Sequence, residues 1–144
     1  MSAAEPHPPL IAVYFRADWC GNCRVLEPVY HSAQGLLQAS SVEVEFLTLD
    51  LTASADAYDA AMFSMLDHRM GDIYNRYLGI TGIVFIAASD SGELLDCITR
   101  RDSATVMLAR FERALERVQA EQSGVRHDPV GASCPPALRA LPGE

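Results

Sequence analysis

Residues 15–24 read Phe-Arg-Ala-Asp-Trp-Cys-Gly-Asn-Cys-Arg (FRADWCGNCR), placing a C-x-x-C pair where two kinds of periodicity meet. Just upstream, residues 10–16 (LIAVYFR) form an apolar run too short for a helix and continuous enough for a strand buried on both faces. Downstream, Val25, Leu26, Val29, Tyr30, Ala33, Leu36 and Leu37 recur at three- and four-residue steps, which predicts a helix over residues 20–39. Pro28 lies inside it and predicts a kink, because proline removes an internal hydrogen bond. A cysteine in the first turn has its thiolate stabilised by the positive end of the helix and by unsatisfied backbone N–H groups. Cys20 is therefore the expected low-pKa nucleophile. Cys23, one turn deeper, is the expected resolving thiol, placed to attack a mixed disulfide formed on Cys20.

Working outward, residues 42–50 (VEVEFLTLD) read as a second strand that runs from an exposed end into a core. Thr52 or Ser54 caps a long helical stretch in which Tyr58, Met62, Met65, Leu66, Met70, Ile73 and Tyr77 share a face, with Gly71 as a candidate break. Residues 83–88 and 93–98 form a predicted hairpin, its turn chemistry supplied by Asp90, Ser91 and Gly92. Asp102 or Ser103 caps a last helix striped by Leu108, Phe111, Leu115 and Val118. The order βαβ, α, ββα permits a four-stranded mixed sheet between helices, with Cys20 at the carboxyl end of the first strand, where sites in open α/β sheets tend to lie. The expected organisation is a flexible segment over residues 1–9, one domain over 10–122 and a mobile tail over 123–144, rich in Gly, Pro and small residues.

Composition removes several alternatives. The chain has 144 residues, 49% hydrophobic and 21% charged, enough apolar content for one folded core. Its apolar runs fall far short of the roughly 20 residues of a membrane helix. Eleven basic residues, all arginine, stand against nineteen acidic ones for a net charge of −8. Nucleic acid is not an expected partner, since phosphate binding needs clustered Lys and Arg. The first nine residues carry no cationic start and no apolar signal core, so the chain as written is expected in the cytoplasm, and in the periplasm if a leader preceded it.

The stretch Ala17-Asp18-Trp19-Cys20-Gly21-Asn22-Cys23 resembles the active-site signature of the thioredoxin superfamily, and more closely that of the C-terminal domain of transmembrane disulfide-interchange proteins and their periplasmic relatives. Pro28 matches the family's helix-kinking proline, and residues 79–83 (GITGI) are similar to the family's approach to its third active-site loop. The resemblance covers residues 10–118. It implies a minimal thioredoxin-like α/β fold, a thiol–disulfide oxidoreductase serving in electron transport, a bacterial source, disulfide-containing protein substrates, an upstream thiol donor or acceptor, and a monomer. Trp19, Gly21, Asn22, Ile83 and Val84 would border the docking groove.

Three departures qualify it. Val84 stands where the family has a cis-proline, and a non-proline cis bond costs about 2.5–4 kcal/mol, so a trans bond is expected there. Tyr14 and Phe46 occupy the positions of the buried acid and lysine that assist proton transfer in thioredoxins, leaving activation of the resolving thiol to Tyr14 or solvent. The segment between residues 50 and 79 is longer than its thioredoxin counterpart.

No cofactor and no metal are expected. Zinc wants four ligands, and the remaining cysteines form no second C-x-x-C. The alternatives are a metal or iron–sulfur module, permitted by Val84 and built from cysteine pairs of two chains, and a redox-inert adaptor. Trp19 is expected both to pack and to shield the thiol. Cys97 reads as a small buried hydrophobe. Cys134 is an idle thiol by default, with pairing to Cys97 or to another chain left open. His7, His31, His68 and His127 are too scattered for a metal site, and Glu112, Arg113, Glu116 and Arg117 read as a solvated helix face.

Overall fold

The computed structural model describes residues 7–122, 124 and 133–140. Their elements run β1 (Leu10–Arg16), α1 (Gly21–Gln38), β2 (Val44–Asp50), α2 (Ala55–Asp67), α3 (Gly71–Tyr77), β3 (Val84–Ala88), β4 (Leu94–Ile98) and α4 (Ala104–Gln122). The sheet order is β2-β1-β3-β4, with β1 parallel to β2 and antiparallel to β3, and β4 antiparallel to β3. This is the expected four-stranded mixed sheet between helices.

Alternation along β1 explains the layering, because successive side chains point to opposite faces. Leu10, Ala12 and Tyr14 enter a core shared with α1 and α4, among them Leu26, Tyr30, Met107 and Phe111. Ile11, Val13 and Phe15 enter a second core with Met65, Met70, Ile73 and Tyr77 of the α2–α3 layer. Both faces are covered, as the unbroken apolar run predicts. An edge-to-face series of rings, Tyr14 on Tyr30, Tyr30 on Phe46 and Phe46 on Phe111, ties the first core together.

The expected long helix is divided, with α2 ending at Asp67 and Gly71 opening α3. Ser54 caps α2, its Oγ accepting from Ala57 N, whereas Leu66, expected on the buried face, is 46% exposed. His68, expected within a helix, is the C-cap of α2. In α4 the buried residues are Met107, Phe111, Ala114 and Val118, with Leu108 and Leu115 flanking them, so the face is turned from the expected stripe. Arg110 reaches Asp96 and Asp102 and fastens α4 to β4. Arg117, expected in solvent, donates to the Leu95 carbonyl at 2.7 Å.

The expectations fail most clearly at the carboxyl end. Cys97 is fully buried, but as a disulfide with Cys134 rather than as a free thiol. Residues 133–140 lie against the protein instead of forming a loose tail: Leu138 N donates to the Arg76 carbonyl, and Arg139 donates to the carbonyls of Asn75 and Leu78. His127 and the rest of that expected tail lie outside the described residues, as do residues 1–6. The disulfide spans 37 residues, and closing such a loop restricts the unfolded chain by about 4 kcal/mol in the chain-entropy account. The Cys97→Ala/Cys134→Ala variant is expected to lose about 2–4 kcal/mol of unfolding free energy in urea melts, and an unchanged midpoint would refute a stabilising role.

Candidate active site

β1 ends at Arg16, and within a few residues the chain becomes α1. Cys20 is the N-cap, with extended backbone angles, and its Sγ accepts a hydrogen bond from Cys23 N at 3.0 Å. The sulfur thus takes the capping place usually filled by an oxygen, where an N–H and the positive helix end both favour a thiolate. Cys20 and Cys23 form a disulfide with a Cα separation of 5.3 Å. In this oxidised state Cys20 is as hidden as Cys23, at 4% and 1% exposure, so the expected contrast in burial is small.

The turn ahead of Cys20 is held by charge and hydrogen bonding. Arg16 and Asp50 face each other at the ends of the parallel strands β1 and β2 and form an ion pair. Asp50 also accepts from Thr52, whose Oγ1 accepts from Asp18 N at 3.1 Å. Arg24 closes the turn by donating to the Asp18 carbonyl. Burial alone would raise the Asp50 carboxyl, but the hydrogen bonds from Thr52 and Arg16 outweigh it and hold the group below its ordinary value.

The Tyr14 hydroxyl donates to Glu27 Oε2 at 2.8 Å, and Arg16 Nε donates to the same oxygen at 3.3 Å. Tyr14 shares the buried cluster of Cys20 and Cys23. Its phenol is pushed well above the usual range, first by burial and then by the Glu27 hydrogen bond, so it stays neutral. The carboxylate that Tyr14 meets is supplied by α1. Glu27 lies one helical turn beyond Cys23, a spacing visible in the sequence. Its pairing with Tyr14 and Arg16, 13 and 11 residues away, is not visible there.

The third wall is the loop entering β3. Gly82 has φ +82°, its N–H donates to the Phe15 carbonyl, and a Cβ added to it would lie 2.7 Å from Asn22 Cβ and 3.3 Å from Cys23 N. Only glycine meets both demands. Of the expected docking residues, Trp19 is 66% exposed, and Gly21 and Asn22 are also exposed, while Ile83 is half-buried. Trp19 does not take the packing role expected of it. Val84 is fully buried in the first core, so its side chain belongs to the core and not to a docking groove. No cis peptide bond occurs among the described residues, in line with the trans bond expected at Val84.

A thioredoxin family model matches residues 4–66. Protein disulfide-isomerase of Oryctolagus cuniculus is 37% identical over 54 residues, 38% of this chain and 10% of that protein. Among solved structures, a thioredoxin-related protein from Neisseria meningitidis serogroup B superposes with a TM-score of 0.53 at 16% identity, over 81% of this chain and 92% of that one. A DsbH oxidoreductase superposes with a TM-score of 0.50 at 9% identity, over 74% and 72%. The fold is thioredoxin-like, and the part of the chain that carries the C-x-x-C pair matches the thioredoxin family model. It spans about a tenth of the length of the curated relative it matches.

Within this thioredoxin-like fold, Glu27 of α1 pairs with Tyr14, and Phe46 joins the aromatic series. Gly82→Ala, which combines a strained φ with a clash against the C-x-x-C turn, is expected to cost about 1–3 kcal/mol in urea unfolding. Asp50 contributes stability that is fully present above its ordinary 3.8 and is lost as pH falls through its lowered folded value. Asp50→Asn should therefore flatten the acid limb of the stability profile, and an acid limb identical to that of the wild type would remove Asp50 from the account.

Proposed function

We propose that this chain is a thiol–disulfide oxidoreductase that exchanges the Cys20–Cys23 pair with protein disulfides. The observation that carries the reading is the disulfide at the N-cap of α1, where the Cys20 sulfur already accepts the Cys23 N–H. In the reducing direction, the Cys20 thiolate attacks one sulfur of a substrate disulfide, forming a mixed disulfide and expelling one substrate thiolate. The Cys23 thiolate then attacks Cys20 Sγ, releasing the second substrate thiolate and leaving the oxidised pair. Two electrons pass to the substrate. The oxidising direction reverses these steps, and an upstream thiol donor or acceptor resets the pair.

Trp19, Gly21, Asn22 and the backbone of residues 82–83 form the docking surface in this reading, supported by their exposure or their contact with the C-x-x-C turn. Tyr14 relays the proton that Cys23 releases. Its hydroxyl hydrogen is committed to Glu27, which leaves oxygen lone pairs to accept. The buried Cys97–Cys134 disulfide supports work in an oxidising compartment, because structural disulfides are rare where thiols are kept reduced.

The test is a redox titration of Cys20–Cys23 on metal-free protein against glutathione and dithiothreitol buffers. A reversible two-electron transition is expected, near about −270 mV for a reductant or about −120 mV for an oxidant; no transition would refute the reading. Cys20→Ser should abolish exchange, whereas Cys23→Ser should accumulate the mixed disulfide. Tyr14→Phe is expected to slow resolution about tenfold while sparing the first attack, and unaltered resolution would remove Tyr14 from the proton path.

A further inference from the structure

We propose that residues 133–140 form a strap that positions the docking loop over residues 78–83, with Arg139 as the positioning residue and the Cys97–Cys134 disulfide as its anchor. The proposal rests on the reading of Cys20–Cys23 as the exchanging pair.

The anchor comes first. Cys97 sits fully buried in β4, and its bond to Cys134 brings the carboxyl-terminal segment beside α3. Pro135 and Pro136 follow at once, and their fixed φ makes the chain leave the disulfide in a restricted direction. Leu138 and Arg139 then meet the end of α3. A helix leaves its last carbonyls without partners inside the helix, and its carboxyl end attracts a cation. Leu138 N donates to the Arg76 carbonyl at 2.8 Å, Arg139 Nε to the Asn75 carbonyl at 3.0 Å, and Arg139 Nη2 to the Leu78 carbonyl at 2.6 Å. One guanidinium therefore bridges the last turn of α3 and the first residue of the loop.

The loop needs such bracing. It contains two glycines at positive φ, Gly79 at 111° and Gly82 at 82°, and glycine gives up more conformational freedom on ordering than any other residue. Leu138 packs on it, its Cδ1 lying 3.5 Å from the position of a Cβ on Gly79. Three residues further on, Gly82 bears on Asn22 and Cys23. The strap thus acts on the C-x-x-C turn through a short segment without touching either reactive sulfur. Leu138 is 54% exposed and Arg139 is exposed too, so the contact can be weakened without opening the core.

The test compares wild type, Arg139→Ala and Arg139→Lys as the full chain, oxidised for hydrogen exchange and, for reaction with disulfides, with Cys20–Cys23 reduced by dithiothreitol, which supplies the two electrons per disulfide. Amide hydrogen exchange at Gly82, whose N–H donates to the Phe15 carbonyl, is expected to quicken about tenfold in Arg139→Ala, the amount a lost charge-assisted hydrogen bond allows. In the same variant, kcat/KM for insulin disulfides should fall about tenfold, mainly through KM, while exchange with 5,5′-dithiobis(2-nitrobenzoate), too small to need the loop, stays at the wild-type rate. Arg139→Lys, which keeps a cationic donor, should recover part of both losses. Cys97→Ala/Cys134→Ala, checked for native circular dichroism, should reproduce the Arg139→Ala pattern. Unchanged Gly82 exchange in Arg139→Ala overturns the proposal, as does faster exchange with undiminished insulin turnover. A wild type inert toward both disulfides would instead overturn the reading of Cys20–Cys23, and the strap's catalytic role with it.

Discussion

β1 is hydrogen-bonded to a strand on each side and buries side chains into a core on each face. A strand so enclosed has little freedom in where it stops. At Arg16 the apolar run ends, the chain leaves the sheet, and the next residues must both finish a strand and begin a helix. That transition produces a short stretch of backbone whose N–H groups have no strand or helix partner. Cys20 occupies it, and its sulfur takes one of those donors. The reactivity proposed for Cys20 follows from this position more than from its immediate neighbours: Gly21 has nothing within 4 Å of where a Cβ would be, so its identity is not dictated by local space.

The electrostatics around the turn divide into two sets joined by Arg16. Toward solvent, Arg16 meets Asp18 and Asp50 and fixes the loop that delivers Cys20. Toward the core, its Nε and the Tyr14 hydroxyl converge on one oxygen of Glu27. Burial by itself would lower the guanidinium's pKa, but hydrogen bonds to Glu27, Asp18 and Asp50 outweigh it and raise it, so the cation persists across the working pH range. A neutral phenol between a buried cysteine cluster and a carboxylate is a different solution from a buried acid on the strand. It keeps net charge out of the first core while still connecting that core to a proton acceptor.

What was legible in the sequence was local in kind. The two-face burial of β1, the helix start at Cys20, the division of the long helical stretch near Gly71 and the hairpin turn at Gly92 each rest on residues within one element and its borders. The network of Arg16, Glu27 and Asp50 was not legible, because nothing in a periodic pattern says which charged residues at the ends of separate elements will meet. The burial of the Val84 side chain was not legible for a related reason: a resemblance to a docking loop does not reveal that every residue of β3 is buried. The strap was hidden more deeply still. Residues 133–140 have no apolar stripe, and a Pro-rich, Gly-flanked composition is shared by loose tails and by extended segments fastened at a few points. Its fastenings are one sulfur and three carbonyls, none of which leaves a mark on hydropathy.

The Cys97–Cys134 bond also changes how the molecule carries mechanical load. It joins β4 to the chain beyond α4, so α4 lies entirely inside a covalent ring. A force applied between residues on either side of that ring passes from Cys97 to Cys134 through the sulfurs, and α4 bears none of it along its contour. About 130 Å of extensible chain, 37 residues at the reach of an extended backbone, stays stored until the bond is reduced. The sheet and α1 yield to tension as ordinary noncovalent structure, while the chain of α4 adds no length, its release set by thiol chemistry rather than by pulling.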